Sequence, residues 1–373
     1  MSQDLHARYG RQMRLPGFGE AGQRRLLGAR VLMVGAGGLG SPAALYLAAA
    51  GVGVIGLADP DSVELSNLHR QILHGAESLG TPKVISAAET LGALNPETRV
   101  VLHGEGLVTS NALSLASAYD LVVDGADNFA TRYLAADACV LAGKPLVHGS
   151  ILGAAGQVGV FAPGGGCYRC LYPAMPDPAS VPTCGEAGVL GATCGVIGSW
   201  MASEALALLL GRRESSSLIL VDVAEGGSRR LGVVPDPACP CCGRSPTVRM
   251  IDPAAYAASC GTMNPEDCPL EITVEETREL LAGGSAVVLL DVREDDELAI
   301  CRMGATHHIP LGQLGERWQE LARGARILVH CHHGGRSLRA TQFLRSKGLA
   351  AVSNVKGGID AWSRRVDPSV PRY

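Results

Sequence analysis

The chain has 373 residues, of which 47% are hydrophobic and 18% charged, and its formal net charge is −4. That length and apolar content suit a sizeable core and two domains or slightly more, and they exclude a disordered chain. The acidic balance excludes a broad nucleic-acid surface, because Lys and Arg occur only as scattered pairs such as Arg24-Arg25; a small anionic ligand stays compatible.

Taken in chain order, the opening Met1-Ser2-Gln3-Asp4-Leu5-His6 lacks the basic-then-apolar pattern of a secretory signal. With twelve cysteines, this predicts a cytoplasmic chain whose thiols serve metal binding or thiol chemistry rather than a disulfide framework. Next, Val31-Leu32-Met33-Val34 reads as a short buried strand, Gly35-Ala36-Gly37-Gly38-Leu39-Gly40 satisfies G-x-G-x-x-G, and residues 41–50 have helical composition. Asp59 lies ~20 residues beyond the glycines, where a ribose-binding acid belongs. Gly35 permits a tight turn, Gly37 admits a phosphate close to the backbone, and amides at the helix start supply partial positive charge. Alone, this pattern predicts a nicotinamide oxidoreductase. The segment 59–71 adds Asn67 and Arg70, which hydride transfer does not require, and so points to a second group facing a triphosphate.

From Arg30 to about Val234, short Val/Ile/Leu/Gly runs alternate with helical segments, among them residues 120–124 and 144–148, which predicts a parallel sheet wrapped by helices. Two apolar stretches, 43–58 and 189–210, approach membrane-span length. Glycines break the first and Ser199, Ser203 and Glu204 interrupt the second, so both read as buried α/β elements and no membrane partner is expected. Cys167-Tyr168-Arg169-Cys170 and Cys239-Pro240-Cys241-Cys242 supply two C-x-x-C pairs. Four such thiolates close a tetrahedral zinc site with no open position, which would be structural; two independent redox pairs are the alternative, and Cys241 is a rival ligand.

Pro, Cys, Gly, Asp and Ala dominate residues 235–270, and the domain connection falls there. The boundaries we assign are 1–250 for the first domain, 251–270 for the linker and 271–373 for the second. In the second, residues 286–291 and 326–330 read as buried strands and 338–347 as a helix. Between the latter two lies His330-Cys331-His332-His333-Gly334-Gly335-Arg336-Ser337, whose amides can curl around Cys331, lower its thiol pKa and stabilise an anion, with Arg336 adding a fixed charge.

That C-x-x-G-x-R-S loop resembles rhodanese sulfurtransferases, in which the cysteine carries a persulfide; the phosphatase pattern is one residue longer. Asp291-Val292-Arg293, Gly304-Ala305 and His308-Ile309-Pro310 resemble the flanking rhodanese motifs, while Cys301-Arg302-Met303 departs from the usual Gly-His-Ile. Further upstream, Arg8-Tyr9-x-Arg11-Gln12, Gly35 to Gly40, Asp59-x-Asp61, Ser66-Asn67-Leu68-x-Arg70-Gln71, Lys83, Asp127-Asn128 and the cysteine pairs together resemble the MoeB/ThiF adenylyltransferases, relatives of ubiquitin-activating enzymes. The whole chain is thus similar to fused adenylyltransferase-sulfurtransferases of the MoeZ type, which serve molybdopterin, thiamine, cysteine or tRNA thiolation.

The resemblance implies a Rossmann-like ATP-binding domain followed by a smaller α/β rhodanese domain. It implies adenylation of the C-terminal glycine of a small ubiquitin-like sulfur-carrier protein ending in Gly-Gly, then sulfur transfer to give a thiocarboxylate. Gly38, Asp59, Ser66, Asn67, Leu68, His69, Arg70, Lys83, Asp127 and Asn128 would hold ATP, with Asp59 on the ribose, Asn67, Arg70 and Lys83 on the phosphates, and Asp127 on Mg2+. Arg11 would reach the triphosphate from a partner subunit of a homodimer. Cys331 and Arg336 would work on sulfur from thiosulfate or a cysteine desulfurase persulfide, Cys184 would be the resolving thiol, and Cys167, Cys170, Cys239 and Cys242 would bind Zn2+. A nicotinamide oxidoreductase and a non-catalytic scaffold for a ubiquitin-like partner are the competing readings.

Overall fold

The computed structural model describes residues 2–176, 188–257, 268–282, 287–304, 307–321 and 326–373. The chain divides into two units, Met1–Ala258 and Ser259–Tyr373.

Among the described residues of the first unit the apolar runs become eight strands: β1 (Arg30–Val34), β2 (Val54–Ala58), β3 (Arg99–His103), β4 (Leu121–Asp124), β5 (Leu146–Leu152), β6 (Ala155–Phe161), β7 (Ser217–Asp222) and β8 (Gly227–Gly232). Their order in the sheet is β3-β2-β1-β4-β5-β6-β7-β8. The parallel sheet expected over this whole span is parallel only from β3 to β5, and β5 to β8 pair antiparallel. The reason is local at two of those pairings. Gly153 (φ +61°) and Gly226 (φ +69°) sit in connections too short for a crossover, so the chain can only turn back on itself. Strands β2 and β4 flank β1 on opposite sides, so the strand order reverses there and leaves a crevice beyond the carboxyl ends of β1 and β4, where ligands bind in open α/β sheets.

Six helices precede the cysteine-rich region: α1 (Ser2–Met13), α2 (Gly19–Gly28), α3 (Gly40–Ala49), α4 (Lys83–Leu94), α5 (Ala112–Ala118) and α6 (Phe129–Ala142). Helix α3 is almost wholly apolar because it lies in the core, packed on the sheet and beside the helix Gly191–Leu209. The latter is, among the described residues, the one helix long and apolar enough to cross a membrane. Within the fold it buries Ile197, Met201, Ala202 and Ala205, and a Cβ on its Gly198 would lie 2.4 Å from the Leu39 carbonyl oxygen, so the backbones meet closely. Its buried Glu204 is paired with Arg213 and Arg230. Helix α6 begins where the Asn128 side chain accepts from Thr131 N (2.9 Å) and ends at left-handed Gly143. The short helix Pro253–Ala257 is tied to α6 through Tyr256, whose hydroxyl donates to Asp137 (2.8 Å).

The second unit holds β9 (Glu271–Ile272), β10 (Val287–Asp291), β11 (His307–His308), β12 (Arg326–His330) and β13 (Val352–Val355) in the order β11-β10-β12-β13-β9, all parallel. Along β12, Ile327 and Val329 enter one hydrophobic cluster and Leu328 the other, the period-two signature of a sheet covered on both faces. The helix after β12 spans Gly335–Ser346, beginning three residues before the expected start at 338. Arg336 and Ser337 therefore lie in its first turn rather than in the loop.

Candidate functional sites

At the carboxyl end of β1, Gly35 (φ +87°) turns the chain, and a Cβ on Gly40 would lie 1.9 Å from the Gly35 carbonyl oxygen, so only glycine closes this turn. Asp59, at the end of β2, is buried and accepts from Ala36 N (2.7 Å) and Asp61 N (2.9 Å), bracing the loop from below. Burial pushes its carboxyl pKa up, opposed by Lys83 and the two amides. The ammonium of buried Lys83 meets the exposed Asp61 carboxylate at 2.7 Å.

The polar cassette packs over this loop. The Gly38 Cα faces Arg70 and Cys194, since a Cβ there would stand 3.5 Å from Arg70 Cγ and 3.1 Å from Cys194 Sγ. Arg70 donates to the Ser66 carbonyl (3.1 Å) and contacts His69 Nε2 (2.7 Å), and the buried Asn67 amide donates to Ser66 Oγ (3.0 Å). Leu68 is half-buried; Ser66 and His69 are exposed. Asp127 is exposed just past β4, two residues beyond Gly125, whose carbonyl faces Gly35 at 3.2 Å from the position of its Cβ. The structure thus gathers Gly38, Asp59, Asn67, Arg70, Lys83 and Asp127 at one end of the sheet. Asn128 differs in kind, because its side chain is occupied as the cap of α6.

Arg11 does not join them. Helix α1 is anchored at the other end of α3, where Gln12 Nε2 donates to the Ala50 carbonyl (2.9 Å) and Tyr9 hydroxyl to Glu97 (3.0 Å). A ten-residue helix is about 15 Å long, so exposed Arg11 sits well away from its own chain's glycine loop. Cys184 lies outside the described residues.

Three further residues support this site. Buried Gln71 turns Nε2 toward Gly37, and its Oε1 has no hydrogen-bond partner among the described residues. His74, its pKa lowered by burial, holds the Ala36 carbonyl through Nε2 (3.0 Å) and accepts from Ser86 Oγ at Nδ1 (3.0 Å). Asp124 accepts from Ala126 N (2.9 Å) and His148 Nδ1 (2.8 Å), fixing the turn opposite Gly35. Gln71 stands in the motif that carries the resemblance, without an assigned role; the signal for His74 and Asp124 was only a polar residue inside or beside an apolar run, which is also how an ordinary core hydrogen bond looks.

The two cysteine pairs converge: Cys167 Sγ lies 3.9 Å from Cys170 and 3.5 Å from Cys239, Cys170 lies 3.4 Å from Cys242, and all four sulfurs fall within 4.8 Å of one another. A tetrahedral thiolate zinc with Zn–S near 2.3 Å sets sulfurs about 3.8 Å apart, so the set fits such an ion. Amides complete the cage, Asp236 N toward Cys170 Sγ (3.3 Å) and Cys241 N toward Cys239 Sγ (3.5 Å). Cys241, the rival ligand, is not one of these four mutually close sulfurs, although its side chain hydrogen-bonds with Cys167; its amide faces Cys239.

In the second unit three donors aim at Cys331 Sγ: Gly334 N (3.2 Å), Ser337 N (3.4 Å) and Ser337 Oγ (3.3 Å). Gly334 (φ +98°) makes this curl possible, and a Cβ there would press to 3.0 Å from Gly357 N. Ser337 Oγ also meets Asn354 Oδ1 at 2.6 Å. It lies 3.1 Å from the Gly334 carbonyl as well, so the sulfur, that carbonyl and the Asn354 oxygen all stand within reach of its single proton. Beneath the loop His330 is fully buried, and burial pulls its pKa down to about 4, so the ring is neutral. The fixed charge expected from Arg336 is not free: both terminal nitrogens are taken by Glu297, at 2.5 and 2.6 Å. That pairing pulls the Glu297 pKa down to about 2.

Two folds, one built around a glycine turn and one around a cysteine loop, define a nucleotide-binding α/β unit joined to a thiol-bearing one. The ThiF family model matches residues 9–241 and the rhodanese-like domain model residues 273–365. Among curated proteins, the chain is 42% identical to the adenylyltransferase and sulfurtransferase MOCS3 of Sus scrofa over 405 residues, covering 100% of this chain and 89% of that protein. It is 40% identical to the probable adenylyltransferase/sulfurtransferase MoeZ of Mycobacterium tuberculosis over 386 residues, covering 100% and 96%. Among solved structures, Escherichia coli MccB with MccA-N7isoASN superposes with a TM-score of 0.54 at 23% identity, over 60% of this chain and 69% of that one, a likeness of fold. The chain belongs to the ThiF family and carries a rhodanese-like domain. It is an enzyme of the adenylyltransferase and sulfurtransferase class, which sets aside the oxidoreductase and scaffold readings.

Proposed function

We propose that the first unit adenylates the C-terminal glycine carboxylate of a small ubiquitin-like sulfur carrier and that Cys331 of the second supplies the sulfur for a thiocarboxylate. A carboxylate is already ionised at neutral pH, so its attack on the ATP α-phosphate, with pyrophosphate leaving, needs alignment and charge neutralisation more than a base. Asp59 would take the ribose, and Asn67, Arg70 and Lys83 the phosphates, with Lys83 exchanging Asp61 for a phosphate oxygen. Gln71 Oε1, buried with no partner among the described residues, fits a donor on the nucleotide. Asp127 would hold Mg2+, which takes one or two carboxylates plus substrate phosphates and offsets charge on them. What supports Arg11 acting from a partner subunit is its distance from its own loop. The four-cysteine cluster would hold a structural Zn2+, and the setting we propose is cytoplasmic.

The sulfur step needs a nucleophile on Cys331. Its persulfide attacks the acyl-adenylate carbonyl and AMP leaves; a second thiol, for which Cys184 is the candidate, then attacks the Cys331 sulfur, releasing the thiocarboxylate and forming a disulfide. The observation that carries this reading is the convergence of two amides and a hydroxyl on Cys331 Sγ, which stabilises an anion on sulfur. The test is Cys331→Ala in the full chain. Carrier-dependent ATP–pyrophosphate exchange should persist while thiocarboxylate formation is lost; lost exchange or undiminished sulfur transfer overturns the division of labour.

A further inference from the structure

Of four arginines that the described residues place around the Cys331 loop, Arg293 and Arg336 each have a carboxylate of their own and Arg364 and Arg372 share one. Arg293 is fully buried and donates to Asp291 (2.6 Å). Arg364 and Arg372 reach Asp360 (2.9 and 3.1 Å), whose backbone N–H donates to the His332 carbonyl of the loop. Arg336 spends its whole terminal fork on Glu297.

Glu297 is held firmly in that pose. Its Oε1 accepts from Arg336 and from the Tyr373 hydroxyl (3.0 Å), and its Oε2 from Arg336 and from Glu294 N (3.1 Å). A carboxylate offers about four acceptor sites, so all are filled. Tyr373 is fixed in turn, accepting from Arg293 NH1 (2.8 Å) and stacking its ring on His332 at 4.2 Å between centroids. A small dianion such as thiosulfate is matched best by a guanidinium fork on its sulfonate oxygens. Here it would have to displace Glu297 and then lie against that carboxylate. A persulfide carried on a thiol has no sulfonate and makes no such demand.

We infer that Glu297 is a specificity-determining residue, which closes the Arg336 fork to sulfonate-type sulfur donors and leaves Cys331 to a persulfide donor. This rests on the reading that Cys331 carries sulfur. In the step, the Cys331 thiolate attacks the terminal sulfur of R–S–SH. The donor S–S bond breaks with its electron pair on R–S⁻, and a new S–S bond gives Cys331–S–SH. No external oxidant or reductant takes part.

The test loads full-length protein with glutathione persulfide or with thiosulfate and follows the sulfur added to Cys331 by intact mass. The wild type should favour the persulfide in kcat/KM by about tenfold or more, and Glu297→Gln should narrow that preference by about tenfold through a lower thiosulfate KM rather than a changed kcat. Glu297→Asp keeps the charge and should keep most of the preference; Tyr373→Phe, which removes only the brace, should shift it in the same direction by less. An unchanged thiosulfate KM in folded Glu297→Gln, or in Tyr373→Phe should the former not fold, overturns the inference, as does a wild-type preference for thiosulfate. If neither donor loads Cys331 while ATP–pyrophosphate exchange is normal, the sulfur-carrier reading itself fails, which a lost preference alone would not show.

Discussion

The adenylation site and the sulfur site solve the same problem, holding an anion, by opposite routes. The first draws Gly38, Asp59, Arg70, Lys83 and Asp127 from separate segments to one end of a sheet, and leaves Gln71 Oε1 without a partner among the described residues. The second is made almost entirely within residues 331–337, with two amides and a hydroxyl facing one sulfur and its arginine already paired. A site assembled by topology stays open to a large ligand. One curled around a single atom is complete before anything arrives, and so selects by what it refuses.

The contrast makes the first unit the more dependent on distant supports, and the cysteine cluster should show this most strongly. Cys242→Ser, or strong chelation, should cost the first unit several kcal/mol, an unfolding shift of about 5 °C or more, and leave the second unit's transition in place. Cys241→Ser, outside the cluster, should cost clearly less. Calorimetry resolves both, and equal effects of the two substitutions would remove the zinc assignment. Next, Asp59→Ala strips two loop amides of their acceptor and should lower kcat/KM for ATP in pyrophosphate exchange by about 100-fold, with Cys331 loading intact. Loss of both activities would mean the sites are less separate than drawn.

The smallest effect belongs to pH. His330 has its pKa lowered to about 4 in the fold against 6.5 when unfolded, so between those values the unfolded chain binds the extra proton. Stability of the second unit is therefore full above pH 6.5 and falls as the pH drops, by roughly 2 kcal/mol at pH 5. Equilibrium unfolding of the wild type and His330→Phe checks this, since the variant should lose that slope.

Much of this was legible in sequence. The glycine turn, the cysteine spacings and the C-x-x-G-x-R-S loop are local, and local backbone demands leave a residue-type signature. Three things were not. The antiparallel half of the large sheet was read as parallel, because Val/Ile/Leu runs look alike in either direction. The early start of the helix at Gly335 was missed because two glycines there mark a turn as readily as a helix entry. Glu297 and Tyr373 drew no notice, since an acid in an acidic helix start and a tyrosine far along the chain are unremarkable until the fold brings them to Arg336.

Sequence alone determined the two chemistries, because glycine at positive φ and cysteine ringed by amides are requirements on residue type at fixed spacing. Tertiary structure decided their terms: that two cysteine pairs 72 residues apart converge, that Arg11 stands away from its own nucleotide loop, and that the Arg336 charge is already spent. Those depend on which segments meet, and a carboxylate's choice of partner is set by distance in space, which spacing along the chain does not encode.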